Sequence, residues 1–146
     1  MSFGKLLGLY AICTAAFFAF DFIWLSTAVP RLYQPALGVV GKRPPYLLLE
    51  KPNIGVAAAF YLLYLVGLIA LAIIPGLQEG SVVGALWRGA LFGLIAYATY
   101  DLTNLSTLAN WPVNITIIDM IWGTVLNSAV AVVGFYGGSW LGLASK

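Results

Sequence analysis

Three aspartates stand out because each lies in an otherwise apolar stretch: Asp21, Asp101 and Asp119. A charged side chain at the middle of a bilayer costs on the order of 3 kcal/mol on insertion scales, so an aspartate there needs a partner or a task. Counted along a helix, each lies roughly 10 Å below the membrane face that carries the basic loop of residues 30–53. We therefore expect the three carboxyl groups to share one depth, where they could converge and exchange protons or bind a ligand.

Aromatic and polar side chains accompany the aspartates at helical spacing. Tyr97, Asp101 and Asn104 follow steps of four and three, which place them on one helix face. Small residues recur in the same way around Asn127, and such stripes usually let helices pack closely. The candidate residues for a ligand or proton site are Asp21, Asp101, Asp119, Tyr97, Tyr100, Asn104, Trp24, Trp122 and Asn127.

The chemistry of this residue set is narrow. The sequence has no histidine and a single cysteine, Cys13, which excludes histidine-ligated haem, zinc hydrolases and histidine general bases. No lysine lies in the middle of an apolar stretch, so serine residues such as Ser106 have no base to activate them. We expect no metal and no cofactor, and the sequence identifies no catalytic residue.

The composition indicates which environment surrounds these groups. Of 146 residues, 62% are hydrophobic and 8% are charged, against roughly 25% charged in a soluble domain. The mean hydropathy is +0.96. Soluble enzymes and nucleic-acid binders are therefore excluded, and an integral membrane protein is expected. Its expected partners are membrane lipids and either a second copy or another membrane protein.

The few charges delimit four apolar stretches long enough to cross a bilayer, for which about 20 residues suffice. They predict an all-α bundle of four transmembrane helices in one domain, residues 1–146, with spans at about 6–29, 54–75, 86–108 and 113–143. Prolines should keep residues 30–53 from forming a continuous helix, although residues 46–50 could form a short interfacial turn. Both termini then lie on the same side of the membrane as Glu79, and Lys42 and Asn110 lie on the other side. The side with Lys42 carries four basic residues and the side with the termini carries three, so the positive-inside rule leaves the orientation open.

Two of the aspartates lie in similar segments. Residues 21–27 (DFIWLST) resemble residues 101–107 (DLTNLST) at an offset of 80 residues. Because two spans separate them, both segments run in the same direction, as in a parallel two-helix repeat. Chance similarity in a biased composition is the alternative.

Longer motifs permit a comparison with a known family. Residues 96–105 (AYATYDLTNL), the pair Trp111 and Pro112, and residues 119–124 (DMIWGT) resemble the DUF2177 family of small bacterial membrane proteins. Residues 21–24 (DFIW) and 60–64 (FYLLY) are similar to it too. The resemblance implies a four-span protein of the bacterial inner membrane, and it implies no particular activity.

Three functions are compatible with the pattern. The first is handling of a small molecule or lipid at an intramembrane carboxylate cluster, which includes proton-linked transport. The second is a packing or assembly subunit, in which tyrosines such as Tyr61 and Tyr64 simply satisfy the acids. The third is an intramembrane enzyme that modifies lipids, so whether the protein is an enzyme stays open.

Overall fold

The computed structural model describes residues 2–145, and this part of the chain folds into four long helices. These are α1 (Phe3–Leu37), α2 (Ile54–Gln78), α3 (Val82–Thr107) and α4 (Val113–Trp140). Each is long and apolar enough to cross a membrane. The structure thus confirms the predicted all-α architecture with four spans.

Helices α3 and α4 form a close antiparallel hairpin because their facing positions are small. Gly93 lies against the backbone carbonyl of Gly123, and Gly89 lies against the carbonyl of Asn127. A Cβ atom at either α3 glycine would collide with the α4 backbone. The small-residue stripe in α4 is therefore a packing seam, as the sequence indicated.

The rest of the core joins α1 and the second half of α2 to this hairpin. Gly134 of α4 lies against Cys13 of α1 and Ile73 of α2, and Gly76 of α2 lies against Ala85 of α3. The largest buried apolar side chains belong to the same layer: Leu9, Phe17, Leu65, Leu68, Leu77, Leu126 and Val130. The second half of α2 is thus held tightly between its neighbours.

The first helix continues eight residues past the predicted span 6–29, and residues 38–53 contain no helix. α1 continues to Leu37 through a π-helical turn at Val29–Tyr33, and α2 has a second such turn at Ile69–Ile73. Each turn ends two residues before a proline, Pro35 or Pro75. Because a proline ring clashes with the carbonyl four residues earlier, a widened turn there lets the helix bend and continue.

Residues 38–53 fold back onto the end of α1. The Val40 N–H donates to the Leu48 carbonyl at 2.8 Å, and the Leu47 N–H donates to the Leu37 carbonyl at 3.0 Å. Residues 46–50 contain no helical turn. An exposed ion pair between Lys42 and Glu50, 2.8 Å long, lies in the same segment.

The two ends of the described chain meet at one end of the bundle. Lys5 donates to the Gly142 carbonyl at 3.2 Å, and the Ser145 N–H donates to the Leu77 carbonyl at 3.0 Å. This agrees with the expected side for Lys5, whereas Lys146 lies outside the described residues. Near this end Arg88 binds Glu79 through both carboxylate oxygens, which holds the Glu79 pKa below its ordinary value.

The two similar segments also share their local hydrogen bonds. Ser26 and Thr27 both donate to the Ile23 carbonyl, and 80 residues later Ser106 and Thr107 both donate to the Thr103 carbonyl. Helices α1 and α3 run in the same direction, as the repeat requires.

Candidate functional site

Asp21 lies on the inner face of α1, where it is only 5% exposed. Its carboxylate accepts a hydrogen bond of 2.9 Å from the Tyr61 hydroxyl of α2. The Tyr61 ring packs edge-on against Phe17 and Phe18, which fixes its direction. The pairing of a span-two tyrosine with an acid was one of the sequence-based alternatives.

Asp119 of α4 is held by a residue that the sequence analysis missed. The Tyr33 hydroxyl donates to its carboxylate, and the same hydroxyl accepts a 3.3 Å hydrogen bond from the Trp24 ring N–H. Tyr33 escaped notice because it follows Pro30 and was assigned to a loop. A tyrosine three residues after a proline carries no clear signal unless the helix is known to continue.

Two tryptophans stack against each other close to the acids. The rings of Trp24 and Trp122 stack with centroids 4.5 Å apart and an interplanar angle of 7°. Both were predicted site residues, and they come from α1 and α4 respectively. The Trp122 ring nitrogen has no hydrogen-bond partner within residues 2–145.

A cavity of about 160 Å³ lies between these groups. Its volume is comparable with that of about five water molecules in the liquid. Asp21 and Asp119 both line it, together with Trp24, Leu25, Tyr33, Phe60, Tyr61, Tyr97 and Trp122. Five of the nine predicted site residues therefore meet around one small space.

Asp101 lies apart from this cavity. It is fully buried, and neither of its carboxylate oxygens has a hydrogen-bond partner within the described chain. Asp101 lies six residues before the end of α3 and Asp119 six residues after the start of α4, so the two lie at a similar level of the hairpin.

The remaining predicted residues do not line the cavity. Asn127 donates to the Gly123 carbonyl at 2.7 Å within α4 and contributes to the α3–α4 seam. Tyr100 is 60% exposed, and its ring packs edge-on against Trp111. Asn104 is half-buried on α3 and does not line the cavity.

A groove of about 410 Å³ also has Asp119 in its wall. Its other lining residues come from α2 and α3. Phe60, Tyr64, Ala96, Tyr97, Tyr100 and Asp119 line it. Because Phe60 and Tyr100 are more than half exposed, the groove is open on the side that would face lipid.

The chemistry of the site is that of acceptors and aromatic rings. No lysine or arginine is among the residues that line the cavity or the groove. Within the part of the chain that the structure describes, no group of three or more histidine, cysteine, aspartate or glutamate residues is placed so that it could hold a metal ion. The geometry suits a hydrogen-bond donor, a cation or a proton.

Four helices that are long and apolar enough to cross a membrane define an integral membrane protein. Comparison with known families agrees: the family described as "Predicted membrane protein (DUF2177)" matches residues 6–136. The chain belongs to this family, as the motifs around Asp101 and Asp119 suggested. No curated protein and no solved structure matches the chain.

Proposed function

We propose that this protein handles a small molecule or lipid inside the bilayer, at the cavity formed by Asp21 and Asp119. The observation that carries this proposal is that two costly acids, from different helices, line one space, and that one of them, Asp119, also lines an open groove. Acids that serve only to join helices need no space between them. We further propose the bacterial inner membrane as its location, with membrane lipids as its immediate partners.

Proton-linked transport is the finer form of the proposal. Asp119 is bonded to Tyr33, and Tyr33 to Trp24, so this carboxyl group has a hydroxyl within hydrogen-bonding reach. A carboxyl group in a bundle interior can release a proton when a ligand arrives and recover it when the ligand leaves. Intramembrane acids of transporters couple protons to substrates in this way.

An assembly or packing subunit is the second candidate. The bonds from Tyr61 to Asp21 and from Tyr33 to Asp119 each join two helical segments, and such bonds stabilise membrane bundles. In this alternative, a second copy or another membrane protein would be the partner, and the cavity would stay empty.

Native mass spectrometry of the purified protein separates the two candidates. We expect the unaltered protein to retain a small molecule or lipid that D119N loses. Glu79→Gln is the matched control, because it also converts a carboxylate to an amide but lies at the opposite end of the bundle. Equal retention by all three proteins, or no bound species in any, would refute the handling proposal.

A further inference from the structure

The cavity has a charge imbalance that selects among ligands. Asp21 and Asp119 each receive one hydrogen bond from a tyrosine, whereas an ionised carboxylate can accept about four. No basic side chain lines the cavity to balance them. The unfilled acceptor positions therefore favour a ligand that brings positive charge or hydrogen-bond donors.

The walls of the cavity favour the same kind of ligand. Six of its nine lining residues are aromatic: Trp24, Tyr33, Phe60, Tyr61, Tyr97 and Trp122. Aromatic faces attract cations, and aromatic surroundings are the usual site of quaternary ammonium recognition in proteins. Carboxylates and aromatic rings thus act on a cation in the same direction, and both would disfavour an anion.

The size of the two spaces adds a requirement on shape. The cavity, at about 160 Å³, has room for a small head group and not for a whole lipid. The groove beside it is larger and has mostly apolar walls, so it suits a hydrocarbon portion. Tyr64 lines this groove with its side chain nine-tenths buried and its hydroxyl unpartnered within residues 2–145.

We infer that the site takes the ammonium group of an amphipathic organic cation, which enters from the bilayer through the groove between α2 and α3. This inference rests on the proposed function and names its substrate class. The charged head occupies the cavity between Asp21 and Asp119, and the apolar part lies along Phe60 and Ala96. Such an ammonium group can belong to a lipid head group or to a free amphiphilic amine.

Binding of three amphiphiles with the same chain and different head charges tests the inference. Octyltrimethylammonium, octyl glucoside and octyl sulfate are titrated by calorimetry into the protein in micelles of a neutral detergent. We expect saturable binding of the cation alone, weakened at least about tenfold in D119N, a change that corresponds to about 1.4 kcal/mol. Glu79→Gln should bind as the unaltered protein does.

A second variant keeps the test valid if D119N folds poorly. Trp122→Phe retains both carboxyl groups and a ring, and a smaller ring should weaken cation binding without abolishing it. Equal affinity of the unaltered protein and Trp122→Phe would contradict the aromatic contribution. Thermal unfolding in the same micelles shows whether each variant is folded.

The source of the ammonium group is resolved by competition. If phosphatidylethanolamine displaces octyltrimethylammonium and phosphatidylglycerol does not, the natural ligand is a lipid with an ammonium head group. Failure of both lipids to compete identifies a free amphiphile. Either result supports the inference, because both require an ammonium-binding cavity.

The remaining outcomes separate this inference from the proposal beneath it. If octyl sulfate or octyl glucoside binds with the same dependence on Asp119, the cation specificity is wrong and the handling function stands. If no amphiphile binds in an Asp119-dependent way, yet mass spectrometry finds a ligand that D119N loses, the cation inference is wrong and the handling function stands. If neither experiment finds a ligand that depends on Asp119, both proposals fail.

Discussion

At the residue scale, the two cavity aspartates depend on tyrosine hydroxyls from other helical segments. Tyr61→Phe removes the only hydroxyl that the structure shows donating to Asp21 and should lower the free energy of unfolding by about 0.6–2 kcal/mol, the range for hydrogen bonds between helices in membrane proteins. Thermal unfolding in detergent measures this. Tyr136→Phe is the matched control, because Tyr136 is 60% exposed on α4. Equal losses of stability in the two variants would contradict the role given to Tyr61.

Asp101 and Asp119 provide a second prediction at this scale. Both lie on the α3–α4 hairpin, Asp101 six residues before the end of α3 and Asp119 six residues after the start of α4. Asn at either position should be tolerated better than Ala, because the amide keeps hydrogen bonding while it removes a negative charge. The double Asn variant should cost less stability than the sum of the two single variants. Additivity within about 0.5 kcal/mol across the four-member cycle would mean that the two acids act independently.

The residues of the site were predictable in part. An aspartate in an apolar stretch is visible in the sequence because its cost is independent of the fold, and so are aromatic residues one turn away, such as Trp24. Tyr33 was not predictable, because its place depends on a helix that continues past Pro30 to Leu37. The separation of Asp101 from the cavity depends on helix rotation, and helical spacing alone does not fix that rotation.

At the scale of helices, the α3–α4 seam determines where Asp119 and Tyr97 lie. Gly93→Ala would press a methyl group against the Gly123 carbonyl, so we expect a loss of about 1–3 kcal/mol in unfolding free energy. Gly4→Ala is the matched control, since nothing lies within 4 Å of its Cβ position. Thermal unfolding of the two variants in detergent makes the comparison, and a Gly93→Ala protein as stable as Gly4→Ala would contradict the close packing.

Helix number and direction followed from the sequence, and helix ends followed less well. The charges that delimit the spans are unambiguous in a chain with 8% charged residues. The largest difference lies at the end of α1, eight residues beyond the expected Val29. Proline usually ends a helix in sequence-based reasoning, and a proline alone does not show whether the helix ends or continues through a π-helical turn.

At the scale of the whole molecule, the topology gives a prediction that concerns no single contact. Cysteines placed at Lys42 and Asn110 should be labelled from one side of the membrane, and cysteines at Lys5 and Glu79 from the other. Cys13 is fully buried and should not react, so the unaltered protein serves as the background control. If cysteines at the Lys5 and Lys42 positions were labelled from the same side, α1 would not cross the membrane, and the four-span fold would be wrong.

The central claim is that a bundle of four helices keeps a ligand site open at the depth of its acids. An experimental structure of the protein in a lipid nanodisc tests this claim most directly. We predict elongated density that follows the groove beside Phe60 and ends between Asp21 and Asp119. The contradicting result is a closed bundle without density beside Asp119. In such a bundle the two tryptophans fill the cavity, and α2 packs against α3 along its whole length.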